Sequence, residues 1–343
     1  MSRRGVTLLL GAVLLAILGL VAATLPVPYV VLGPGPTVNT VGTRGGKPVI
    51  TIAGRTTSTS AGHLNLTTVS VTDRIDLLTG LRSWLDRRYA VVPREEIYPP
   101  GRTAKQVDDA NAQDFRVSQD SAEVAALHAL GYPLQVVVVA VLPGAAAGGS
   151  LRKGDVISAL DGAAITSARQ LTGRLQARRP GDSVLVRYLR DARTTTASVR
   201  LGAAKADAHR AALGIEIDQR PAPPLKISFD IKDIGGPSAG LMFSLGIIDL
   251  LTPADLTAGR FIAGTGTIDD AGQVGPIGGI HQKLVGARAA GATVFLTPAA
   301  NCAEARQLIP AGLRLIKVAS LREALSALAT LRTGGSALPS CAS

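Results

Sequence analysis

The pattern of apolar and polar positions divides the chain into segments of different period. Val6–Leu25 is an uncharged run of 20 residues behind Arg3 and Arg4. That matches the roughly 20 residues a helix needs to cross about 30 Å of hydrocarbon, so the run predicts a single transmembrane helix. A cleaved signal peptide is the rival reading, because Val21-Ala22-Ala23 has the small residues of a cleavage site. The Pro- and Gly-rich "VPYVVLGPGPTVNTVG" predicts an extended stalk, and "KPVITIAG" and "GHLNLTTVSV" predict paired strands. Next, "TDRIDLLTGLRSWLDRRY" repeats apolar residues at Ile75, Leu78, Leu81 and Leu85, one helix face, with Asp73 as its cap. A second helix is predicted over about Ser118–Leu130, where Ala122, Ala125 and Ala126 allow close packing.

Length and composition narrow the class. A chain of 343 residues holds about two domains, and 46% hydrophobic content supplies their cores. Aromatics make up only 3%, too few for a nucleic-acid stacking surface. The net charge of +11 is uneven: Leu151–Arg210 holds 12 basic and 5 acidic residues, which is +7. Such a stretch is either a solvated face or a surface for acidic ligands or anionic lipid. By the rule that basic residues stay in the cytoplasm, Arg3 and Arg4 put everything after Leu25 outside the membrane. Cys302 and Cys341 are too few for a disulfide scaffold and lack metal-site spacing, and whether they pair is open.

The segment "LQVVVVAVLPGAAAGGSLRKGDVISALDG" and the strands and helix after it resemble a PDZ domain, with Gly154-Asp155 and Asp161-Gly162 as turns around a buried strand. The resemblance implies that a peptide C-terminus is bound as an added strand. "GYPLQ", before Val136, departs from the usual carboxylate-binding loop, whose residues stay unassigned. Arg174 and Arg178, four apart on a predicted helix, are expected beside the peptide groove.

"DIGGPSAGLMFSLG" places Ser238 between a Gly-Gly-Pro turn and an apolar helix beginning near Ala239. A serine there is an ordinary N-cap, or else a hydroxyl set beside unpaired amides able to stabilise an oxyanion. Of the four histidines only His281 is nearby in sequence, and it precedes Lys283 in "PIGGIHQKLVG". The two stretches together resemble the proteolytic domain of Lon proteases, with 45 residues between Ser238 and Lys283.

That resemblance implies Ser238 as nucleophile, Lys283 as general base and Thr265 as the residue that orients the lysine. Thr267 departs from the pattern, where a glutamate is common. A lysine base must be neutral, and lowering its pKa towards 7 or 8 costs roughly 4 kcal/mol, which burial provides and a carboxylate would oppose.

The fold class expected is α+β, a Lon-type proteolytic domain with an inserted PDZ domain behind a single transmembrane helix. The boundaries are 1–5 cytoplasmic tail, 6–25 span, 26–48 stalk, 49–130 first part of the Lon-like domain, 131–205 PDZ domain, 211–330 the part bearing the dyad and 331–343 tail. No phosphate-loop motif occurs in the sequence, and no cofactor or metal is expected. The function expected is an ATP-independent serine endopeptidase, single-pass in the cell membrane. Its expected partners are unfolded or flexible proteins, peptide C-termini at the PDZ domain and the membrane, without nucleic acid; a homo-oligomer is compatible with the resemblance. The alternative is a catalytically silent PDZ adaptor that presents partners to another protease.

Overall fold

In the computed structural model, residues 3–205, 207–222, 225–231 and 234–341 are described. Asp233, the first residue of the serine motif, lies outside them, as do 1–2 of the expected cytoplasmic tail and 342–343 of the C-terminal tail. The chain forms two compact units, the second interrupting the first: 52–55 with 124–227, set within 1–51, 56–123 and 228–343.

The chain enters the first unit through α1 (Arg3–Thr24), exposed along its length and long and apolar enough to cross a membrane. It continues through β1 (Tyr29–Asn39), β2 (His63–Thr72), α2 (Leu77–Leu85), β3 (Ala90–Pro93) and α3 (Ala104–Ala129). The second unit contributes β4 (Leu134–Val141), β5 (Val156–Leu160), α4 (Ala168–Gln176), β6 (Ser183–Arg190), β7 (Arg193–Arg200) and β8 (Ile215–Pro221). The first unit resumes with α5 (Gly240–Leu251), β9 (Phe261–Gly264), β10 (Thr267–Ile268), β11 (Val274–Gly275), α6 (Ile280–Ala289), β12 (Val294–Pro298), β13 (Arg314–Val318) and α7 (Leu321–Arg332).

Six strands of the first unit form one mixed sheet in the order β13-β12-β9-β2-β1-β3, parallel from β13 to β2 and antiparallel beyond. The expected stalk is therefore a correction: its Pro/Gly run is β1, an interior strand. A register shift between Pro34 and Thr37 absorbs the prolines, which have no N–H to give the ladder. Gly35 has no room for a Cβ, which would stand 2.7 Å from the Thr68 carbonyl carbon. On the other side, a Cβ on Gly286 of α6 would stand 3.1 Å from the Gly35 carbonyl oxygen, so helix and strand approach backbone to backbone.

The expected cap of α2 is also corrected. Asp76, not Asp73, accepts from Thr79 N–H at 2.8 Å, while Asp73 pairs with Arg94 at 2.7 Å. In the second unit β7-β6-β5-β4-β8 is antiparallel, so residues 215–221, assigned above to the Lon-like part, supply instead the edge strand β8 of this sheet. The Gly154-Asp155 turn is closed by a two-pronged ion pair between buried Asp155 and Arg190, both contacts 2.7 Å. Cys302 and Cys341 form a disulfide that ties the C-terminal tail to the first unit.

Candidate active site

Ser238 stands one residue before Ala239, the N-cap of α5, so it is not the cap itself, and Ala239 makes no side-chain cap bond. α5 is buried from Gly240 to Asp249, which makes the helix start a fixed point. A Cβ on Gly240 would meet Ile268 Cγ2 at 2.7 Å, so only glycine lets the helix lie this close to β10. The turn before the serine is held by α3. Gly236, at φ +84°, donates its N–H to the Asn111 carbonyl at 2.8 Å, and Ser118 Oγ donates to the Pro237 carbonyl at 3.0 Å. Sequence reasoning missed both contacts; Ser118 was read only as the start of a helix.

Lys283 lies on α6, whose N-cap Gly279 is left-handed at φ +67° and sits where a Cβ would meet Val69 Cγ2 of β2 at 2.6 Å. This close fit packs the first turn of α6 against β2, and the lysine is left 3% exposed. Burial pushes its amine down to about 8. The amine donates to Thr265 Oγ1 at 3.1 Å, and Thr265, fully buried, donates that hydroxyl to the Ser238 carbonyl at 3.0 Å. The three predicted residues thus meet although 45 positions separate the outer two. Among the described residues no hydrogen bond joins Lys283 Nζ to Ser238 Oγ. His281 points elsewhere, its Nε2 2.8 Å from the Glu304 carbonyl.

Ser238 and Lys283 open into a cleft of about 830 Å³, lined also by Thr67–Val71 of β2, Gly235–Pro237, Thr267 and Pro276–Gly278. None of its described lining residues is acidic, so no carboxylate there holds the amine charged. No group of three or more His, Cys, Asp or Glu able to hold a metal occurs among the described residues.

The second unit has its own groove, of about 970 Å³, between α4 and edge strand β8. Leu171, Leu175, Ile215 and Ile217 supply apolar lining, Gly214 turns at φ +70°, and Lys205, Asp207 and Arg210 are charged lining residues. Arg174 and Arg178 do not line it, contrary to expectation; Arg178 pairs with Asp161 at 2.7 Å.

Residues 227–330 match the model of the Lon protease (S16) C-terminal proteolytic domain, and residues 107–201 match that of the PDZ domain. Lon protease 1 of Sorangium cellulosum is 34% identical over 158 residues, 45% of this chain and 19% of that protein. A Lon protease of Phenylobacterium zucineum is 44% identical over 73 residues, 21% and 9% of the two chains. The chain therefore spans a fifth or less of the length of these relatives. The crystal structure of the PDZ domain of the SdrC-like protein from Listeria monocytogenes aligns at 25% identity over 24% of this chain and 85% of that one, with a TM-score of 0.22. The first unit carries a domain that matches the Lon proteolytic type. The chain joins that domain to an inserted PDZ domain behind one apolar helix of membrane-spanning length.

Proposed function

We propose that the chain is an ATP-independent serine endopeptidase, anchored by α1 and acting outside the membrane on flexible or unfolded proteins. The observation that carries this reading is a lysine held at about 8 by burial and bonded to a hydroxyl that also holds the serine segment. In the neutral form, Lys283 Nζ accepts the Ser238 Oγ proton as the oxygen attacks the scissile carbonyl carbon. The amide groups at the start of α5 stabilise the oxyanion. The lysine then returns the proton to the leaving amine as the C–N bond breaks, and a water deprotonated by the same amine hydrolyses the acyl-enzyme. Thr265 positions the amine.

The groove beside β8 takes a peptide C-terminus as an added strand and recruits substrates to the peptidase. Arg3 and Arg4, at the start of α1 and ahead of its uncharged run, support a cytoplasmic N-terminus, and the Cys302–Cys341 bond fits an oxidising exterior. Casein incubated with the wild-type protein and with Ser238→Ala tests the reading. Cleavage by the wild type alone is expected, whereas equal inactivity of both makes the chain a PDZ adaptor.

A further inference from the structure

The helix α2 is inside out for a helix on a protein core. Its inward side carries Gly80, buried where a Cβ would touch Ile75 and Val27, while Leu78 is 41%, Leu81 48%, Trp84 73% and Leu85 77% exposed. These four project into one sector of the helix, an apolar stripe aimed at solvent instead of at the fold. A folded domain has no reason to order such a face unless something covers it.

The start of α2 is fixed at the end of the membrane-length helix. Leu77 N–H donates to the Leu25 carbonyl at 3.1 Å, Val27 N–H donates to the Ile75 carbonyl at 3.1 Å, and Pro26 bridges Asp76. The stripe therefore begins at the level where α1 ends, which in a bilayer is the headgroup boundary. Tryptophan favours that depth, and Arg82 and Arg87, both exposed, suit anionic headgroups.

We propose that α2 lies in the lipid interface beside the anchor, with Leu78, Leu81, Trp84 and Leu85 in the upper acyl region of the outer leaflet. The inference rests on the reading of α1 as a membrane anchor. It gives the peptidase domain a second attachment to the bilayer, and because β2 both lines the cleft and leads into α2, it sets the height of the cleft above the surface.

Trp84 is the only tryptophan in the chain, so its fluorescence reports this helix alone. The full chain is reconstituted into phosphatidylcholine–phosphatidylglycerol vesicles, with and without lipid brominated high or low on the acyl chain, and floated on a density gradient. Flotation with strong quenching of Trp84, greater for shallow than for deep bromine, is expected. Leu81→Asp/Leu85→Asp, at exposed positions, should still float but lose most of that quenching. Failure to float overturns the anchor and the interfacial helix together. Flotation with unquenched, solvent-like emission overturns the interfacial helix and leaves the anchor standing. Blue-shifted emission without quenching also overturns it, since a protein surface then covers the stripe.

Discussion

Lys283 and Thr265 are joined by a 3.1 Å hydrogen bond in a place where the lysine is 3% exposed and none of the described residues lining the cleft is acidic. A hydroxyl is a neutral partner: it fixes the direction of the amine while leaving burial free to favour the uncharged form.

Activity should therefore rise with pH through about 8 and level off above it, since the base is competent only once deprotonated. The pH profile of kcat/KM on an unstructured peptide tests this. A limb centred well below 8 would assign the base to another group, and His281→Ala, which is expected to change little, would then identify it or exclude it.

The same burial has a cost in stability. An amine at about 8 in the fold and 10.5 unfolded disfavours the charged folded state by about 3 kcal/mol. Because the folded pKa is the lower of the two, the unfolded chain binds more protons between about 8 and 10.5, so stability rises across that window. Lys283→Met should be inactive yet more stable than wild type at pH 7, by up to about 3 kcal/mol, with the gap closing as pH approaches 10.5. Denaturant unfolding at several pH values measures it.

Thr265→Val removes the hydroxyl at nearly constant volume and leaves the amine without its acceptor. A loss of roughly 10- to 100-fold in kcat is expected, from the misdirected base. The activity limb should also move to lower pH, because the charged amine loses a hydrogen bond that favours it. Thr265→Ser should keep most of the activity; if it is as impaired as Thr265→Val, packing and not the hydroxyl is what matters.

Ser118→Ala removes the bond to the Pro237 carbonyl without touching the cleft. Its expected effect is about 1 kcal/mol, a severalfold fall in kcat with KM little changed, because the Gly-Gly-Pro turn loses one of its ties. An unchanged kcat would show that Asn111 and the buried α5 hold the turn unaided.

In the second unit, peptides with a free C-terminus and acidic residues upstream should bind the groove beside β8, with affinity falling as salt rises. Ile217→Asp should abolish binding and Arg210→Glu should flatten the salt dependence, both read by fluorescence polarisation. Binding indifferent to amidation of the peptide would remove the carboxylate from the recognition.

The residue types of the site were legible in the chain itself. A serine after Gly-Gly-Pro and before an apolar helix, and a lysine just inside a helix opened by Gly278-Gly279, are local patterns, because helix starts and left-handed turns restrict sequence over a few positions. The apolar run of α1 and the strand–turn–strand pattern around Gly154-Asp155 were legible for the same reason. Period alone shows which residues share a face, and it placed Leu78, Leu81 and Leu85 together without saying whether that face looks into the protein or out of it. Only the tertiary structure decided that: the side of α2 bearing Gly80 is buried beside Ile75 and Val27, and the leucines stand on the outer side. The Pro/Gly run read as a stalk became the interior strand β1, because its bulge puts the prolines where no ladder hydrogen bond is needed and its glycines admit backbone contact from Thr68 and α6. The Cys302–Cys341 pairing, the prop from Ser118 and the burial that lowers Lys283 all depend on groups brought together from 39 or more positions away or from several strands and helices at once, and no local pattern of residues encodes such distances.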